Sequence, residues 1–168
     1  MLFADFVESE DSRLRRRYEL AIKEYSPLID RICFGYARCK EDMDDLRQDA
    51  MLNLWESMSV FKDQCSMKTW VYRLTLNSCV SSLRKSYRSP VTVQMTEFCD
   101  VIEEDQHQQL SELHEAISQL NPIDKAIVML WLEDESYDAI AMIVGLTKSN
   151  VAVRIHRAKD KLRTLLNR

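Results

Sequence analysis

Glycine and proline are scarce in this sequence, with two and three copies in 168 residues. Sheet-rich folds spend both in tight turns, so their scarcity argues against an all-β architecture. No apolar run reaches the roughly 20 residues that a membrane-spanning helix needs, so no membrane insertion is expected. The opening from Met1 to Glu10 carries acids and lacks a basic-then-apolar pattern, so it does not read as a signal peptide. There is no glycine-rich phosphate loop, no HExxH and no evident nucleophile–base pair. The three histidines, His107, His114 and His156, are dispersed, without metal-ligand spacing. The five cysteines (Cys33, Cys39, Cys65, Cys79 and Cys99) are odd in number and include no CxxC. That disfavours a disulfide framework and a zinc site, and fits reduced thiols in a cytoplasmic protein. A redox-sensing role for them would require thiols of lowered pKa. Neither an enzyme nor a cofactor-binding protein is expected.

What is present is enough apolar residue, 46%, to build folded cores. The net charge of −4 argues at first against nucleic-acid binding, because phosphates need cations. The distribution of charge reverses that reading. Ser66 to Thr96 contains no acid but holds Lys68, Arg73, Arg84, Lys85 and Arg88. Lys148 to Arg168 holds seven bases against Asp160 alone. The acids gather between Glu41 and Asp49 and between Glu97 and Asp105. Two basic and two acidic segments imply separate tasks.

Apolar residues recur at steps of three and four from about Ser9 to Ala37, which predicts helix. Ser26-Pro27 leaves open two helices or one bent helix. A second helix is predicted from near Asp42 to Asp45, with Leu46, Ala50, Leu54 and Trp55 on its apolar face. A third is predicted from Met67 to Tyr87, after a loop at Phe61 to Ser66. Arg88 to His107 has no helical stripe and reads as a mobile linker, with a weak strand signal at Val91 to Val93. Four further helices are predicted: from Ser111 to Leu120, from Asn121-Pro122 to Leu132, from Tyr137 to Val144 behind the cap Ser136, and a last one capped by Thr147 or Ser149. The expectation is an all-α chain of two small helical domains, 1–87 and 109–168, joined by a flexible linker at 88–108.

Tyr137 to His156 carries a helix-turn-helix pattern. Ala141 is small where two helices cross, Gly145 suits a turn of positive φ, and Val151 packs the second helix back on the first. The exposed face of that helix is expected to include Lys148, Ser149, Asn150, Ala152, Arg154, His156 and Arg157. Arginine can pair with guanine edges and asparagine with adenine. By itself the motif fits a repressor, a response regulator or a polymerase initiation factor equally. A second constellation, Lys68 to Asn77, mixes bases, aromatics and an amide, as single-stranded DNA sites do. Trp70 and Leu74 lie one turn apart, and on composition alone core packing outweighs DNA contact as the reading of those two.

In series, these segments resemble an extracytoplasmic-function (ECF) sigma factor, a subunit that directs bacterial RNA polymerase to promoters. Asp44-Asp45-Leu46-x-Gln48-Asp49-x-x-x-x-Leu54-Trp55 resembles the helix that docks on the polymerase clamp. Phe61 followed by Lys68-Thr69-Trp70-Val71-Tyr72-Arg73-Leu74-x-x-Asn77 resembles the −10 reading segment. Ser149-Asn150-Val151-x-x-Arg154-x-x-Arg157-Ala158-Lys159-x-x-Leu162 resembles the −35 recognition helix. The resemblance implies that Asp44, Asp45, Gln48 and Asp49 bind the β′ clamp of core RNA polymerase. It implies that Lys62, Gln64, Ser66, Lys68, Trp70, Arg73, Asn77, Arg84 and Lys85 hold −10 DNA. The second domain would read −35 DNA and touch the β flap. Many members of the class are also held by an anti-sigma factor. Ala152, Val153, His156, Cys65 and Ser66 depart from the usual residues of the class. A regulator that never enters the polymerase is the competing reading, and it leaves the Asp44–Trp55 and Lys68–Asn77 sets without a reason to coexist.

Overall fold

The computed structural model describes residues 9–88 and 112–167, all of them helix or the short connections between helices. Arg88, expected in the linker, is the last residue of the third helix; the rest of the linker, its weak strand signal at Val91 to Val93, Ser111 and Cys99 lie outside the described residues. Helix α1, Glu10–Tyr36, is capped by Ser9, whose side chain accepts from the Ser12 amide. It runs through Pro27 as one helix, which resolves the Ser26-Pro27 alternative. Leu28, Ile29, Ile32 and Cys33 are buried just beyond the proline, and that burial offsets the hydrogen bond a proline forfeits.

Helix α2, Lys40–Ser57, starts earlier than expected because the Cys39 side chain, rather than an acid, serves as its cap. Leu46, Ala50 and Leu54 are buried at steps of four, and a single turn of 3-10 helix, Met58–Val60, leads into the loop at 61–66. Helix α3, Met67–Arg88, follows. Its buried face includes Val71, Tyr72, Thr75, Leu76, Ser78 and Cys79. Its polar Ser78 is satisfied: Asn53 on α2 donates to Ser78 Oγ at 2.7 Å, and Ser78 donates to the Leu74 carbonyl at 3.0 Å. Helices α1, α2 and α3 pack on one another as the first unit.

The second unit begins with α4, helical over 112–118. Helix α5, Pro122–Leu132, is capped by Asn121, with the proline at the position where its missing N–H costs nothing. Helix α6, Tyr137–Val144, is capped by Ser136 and ends at Gly145, whose φ of 73° is left-handed. Helix α7, Lys148–Leu166, is capped by Thr147 and buries Val151, Ile155, Ala158 and Leu162. Ala116, Ile117 and Leu120 pack with Val128, Ala158 and Leu162 in a core private to this unit.

The two units do not stand apart. Ile29, Ile32, Tyr36, Tyr72 and Leu76 of the first belong to the same buried cluster as Ala126, Ile127, Leu130, Ile140 and Ile143 of the second. Helix α3 contacts α6, and α1 contacts α5. Gly35 on α1 lies against the flexible end of the Met129 side chain on α5, which would have to shift if a β-carbon were added there. Sequence periodicity showed each stripe but not that parts of the two stripes face each other.

Candidate nucleic-acid interface

Gly145 and Val151 set the geometry of the helix-turn-helix. The left-handed turn at Gly145 lets the amides of both Gly145 and Leu146 donate to the Ala141 carbonyl at 3.0 Å, which closes α6 and swings the chain into α7. Val151 is fully buried and Ala141 nearly so. Opposite that buried seam the first turn of α7 presents Lys148, Ser149 and Asn150 to solvent, followed by Val153, His156 and Arg157. Ala152 is half-buried.

Arg154 is placed differently from its neighbours. Its Nη1 donates to Asp124 Oδ1 at 2.7 Å, which ties α7 to the first turn of α5. Lys148 pairs with Asp138 at 2.6 Å, and His156 Nε2 lies 3.5 Å from Asp160. Later bases brace the unit: Lys159 Nζ sits 3.8 Å from the centre of the Trp131 ring, and Lys161 donates to the Gln119 carbonyl at 2.7 Å.

In the first unit the loop at 61–66 hangs between two fixed ends. Phe61 is buried and stacks on Trp70, with ring centres 4.5 Å apart and planes 24° from parallel. Ser66 caps α3, accepting from the Thr69 amide at 3.1 Å. Between them Lys62, Asp63 and Gln64 are exposed, and Asp63 takes a left-handed φ of 53°. Trp70 is thus half-buried in the stack while keeping some surface. Lys68, Arg73, Asn77, Arg84 and Lys85 are exposed along α3. Sequence reasoning missed Arg17 on α1, whose guanidinium bonds Asp63 and lies 4.8 Å from the centre of the Phe61 ring. The run of bases from Arg13 to Arg17 was the available signal.

The second unit reaches into this α3 face. Lys68 is ion-paired with Glu135, in the turn between α5 and α6. Arg73 Nε donates to the Ile143 carbonyl at 3.4 Å. Arg31 on α1 pairs with Glu133, and the Tyr36 hydroxyl donates to the Pro122 carbonyl at 2.7 Å. The contact also carries unfavourable features. Lys125 is buried, its Nζ 5.1 Å from the centre of the Tyr36 ring, and burial pulls its pKa down. The Tyr72 hydroxyl is buried with no hydrogen-bond partner. Beside it a cavity of about 20 Å³ lies among Leu28, Ile32, Tyr72, Met129, Leu130 and Glu133.

The acidic face of α2 is separate. Asp44, Asp45, Gln48 and Asp49 are all exposed, and the intervening Leu46 and Ala50 are buried. The helix therefore turns these carboxylates outward, while Asp42 in its first turn is part-buried against Arg38. Among the described residues no group of His, Cys, Asp and Glu side chains is arranged to hold a metal, and no helix is long and apolar enough to cross a membrane.

Residues 21–89 match Sigma-70 region 2, and residues 110–162 match Sigma-70 region 4. Together the two matches cover more than two thirds of the chain. The chain belongs to the sigma-70 family. Within it, the chain is an ECF sigma factor, a promoter-recognition subunit of RNA polymerase. It is 29% identical over 140 residues to RNA polymerase sigma factor SigV of Bacillus subtilis, a match covering 82% of this chain and 84% of that one. It is 24% identical over 155 residues to ECF RNA polymerase sigma factor SigM of Mycobacterium tuberculosis, covering 90% and 78%. Two solved structures share the fold. CnrH in complex with the cytosolic domain of CnrY superposes with a TM-score of 0.68 at 20% identity, covering 91% of this chain and 89% of that one. The sigma factor RpoE in complex with the anti-sigma factor NepR from Bartonella quintana gives 0.71 at 18%, covering 90% and 98%.

Proposed function

We propose that this sigma factor divides its work between residues 1–87, which dock on core polymerase and hold −10 DNA, and residues 109–168, which read −35 DNA, with 88–108 as the connection. Asp44, Asp45, Gln48 and Asp49 meet the basic surface of the β′ clamp. The observation that carries this role is the sorting of α2 into a buried apolar face and an exposed face of carboxylates, the form expected of a docking surface for a cationic partner.

Lys62, Gln64 and Ser66 line the approach to an extruded −10 base, and Trp70 and Asn77 stand beside it. Lys68, Arg73, Arg84 and Lys85 supply cations along the strand. Lys148, Ser149, Asn150 and Arg157 face the −35 duplex, with Ala152 and His156 at the edge of the same surface. Arg154 reaches DNA only by sharing or leaving Asp124. The second unit also touches the β flap. No step of this work is catalytic, and it takes place in the cytoplasm, where the polymerase is. An anti-sigma protein is a further proposed partner, in line with the RpoE–NepR complex.

One physical consequence follows from the packing. Glu135 and the Ile143 carbonyl compete with a DNA strand for Lys68 and Arg73. Separation of α6 from α3 would therefore favour promoter engagement. Charge reversal at Asp45 and Asp49 tests the docking role. Core-polymerase affinity should fall, while binding of the free chain to −35 duplex stays as it was. Unchanged core affinity in a competition assay would remove α2 from the docking surface.

A further inference from the structure

We propose that Arg17 is a positioning residue for the −10 reading loop, setting the shape of that loop from outside the region 2 match. The inference rests on the −10 reading above. Arg17 lies on α1, upstream of residue 21, where the family match begins. Its guanidinium reaches beyond its own helix. The guanidinium bonds Asp63 at the loop tip, 46 positions away, and lies 4.8 Å from the centre of the Phe61 ring at the loop's start. Phe61 stacks in turn on Trp70 of α3. One side chain therefore holds both the tip of the loop and the aromatic stack at its base.

The loop needs such a tie. Asp63 has a φ of 53°, a conformation uncommon outside glycine, and its side chain is largely exposed. A carboxylate there also stands on a surface built to approach phosphates, and would repel them. Arg17 answers both problems: it fixes the side chain of the strained residue and offsets its charge. Lys62 and Gln64 flank Asp63 directly, so the direction in which they face follows from the Arg17–Asp63 bond. Arg17 acts through these residues rather than by reading a base.

The test uses the full chain with core polymerase on a cognate promoter and a set of −10 base substitutions. Permanganate reactivity of −10 thymines reports opening. Arg17→Ala should reduce opening by about fivefold, the scale of one partly exposed ion pair. It should also flatten the preference among −10 bases, with core affinity and −35 binding unchanged. Asp63→Ala should flatten it likewise, and the double variant should be no worse than either single one. Arg17→Lys, which keeps the charge, should restore part of the preference. Asp63→Ala alters only an exposed side chain, so it stands as the second variant should Arg17→Ala melt early. Normal opening in both single variants would overturn the proposal. Weaker opening with the base preference intact would overturn it too, since that is the mark of a plain phosphate contact. If the wild-type chain itself fails to open any promoter with core polymerase, the −10 reading has failed and not merely the part given to Arg17.

Discussion

Lys68, on the α3 face proposed to hold −10 DNA, is ion-paired with Glu135 in the turn that precedes the helix-turn-helix. The pair joins the two units across that proposed DNA-binding face. Around it, Arg31–Glu133 and Arg73 on the Ile143 carbonyl repeat the theme: a cation of the first unit meets an oxygen of the second. Two carboxylates and one carbonyl of the second unit thus face cations of the first.

Glu133 and Glu135 should therefore be restraints on the first unit. Replacing both with lysine places like charges against Arg31 and Lys68. The distance between dyes on α2 and α7 should lengthen, and the free chain should bind single-stranded −10 DNA several-fold more tightly, as expected when a competing state is removed. Unchanged dye distance and DNA affinity would mean that the apolar contacts alone hold the units together.

Arg154 and Arg157 should separate in their effects. Arg157 is exposed on α7, so Arg157→Ala should weaken −35 binding by about 1–3 kcal/mol if it makes a base contact, and leave the melting temperature alone. Arg154 is bonded to Asp124, so Arg154→Ala should also destabilise the second unit by about 1 kcal/mol. Thermal melts alongside binding to cognate and scrambled duplex would distinguish them. Equal losses on both duplexes would assign the arginines to phosphates.

Lys125 should give the stability a distinctive pH dependence. Burial lowers its pKa, so the folded chain sheds that proton at lower pH than the unfolded chain. Stability from this group therefore rises with pH, from the lowered value up to the ordinary 10.5. Tyr36 and Tyr72 act the other way. Burial raises both, so above the ordinary 10.0 the unfolded chain ionises first and stability falls. The Lys125 contribution should raise the melting temperature as pH rises toward 10.5, and the tyrosines should oppose it above 10.0. Lys125→Met should abolish the climb and raise stability at neutral pH by about 1–3 kcal/mol. A pH profile identical to wild type would mean that Lys125 reaches water.

How much of this could be read from the sequence depended on distance along the chain. Asn121-Pro122, Ser136 and Gly145 mark helix ends through local hydrogen bonds and backbone geometry, and the structure uses each as expected. The exposed acids of α2 were legible because its buried partners recur at steps of four. Cys39 was missed as a cap because sulfur is a weak acceptor and rarely serves. The bond from Arg154 to Asp124 was not legible, because Asp124 lies thirty positions earlier and leaves no periodic trace. The same holds for Arg17 with Asp63 and for Lys68 with Glu135. Charge patterns show that a residue seeks a counter-charge but do not say which one it finds. Trp70 packs as one of its two readings expected, stacked on Phe61, though it is not fully covered.

The most direct test of the account is transcription by purified core RNA polymerase on a promoter library, with and without this chain, scored by run-off products. Start sites that appear only with the chain, and that share spaced −10 and −35 sequences, are the predicted result. Duplex DNA bound specifically by the chain, with no binding to core polymerase and no new start sites, would contradict it.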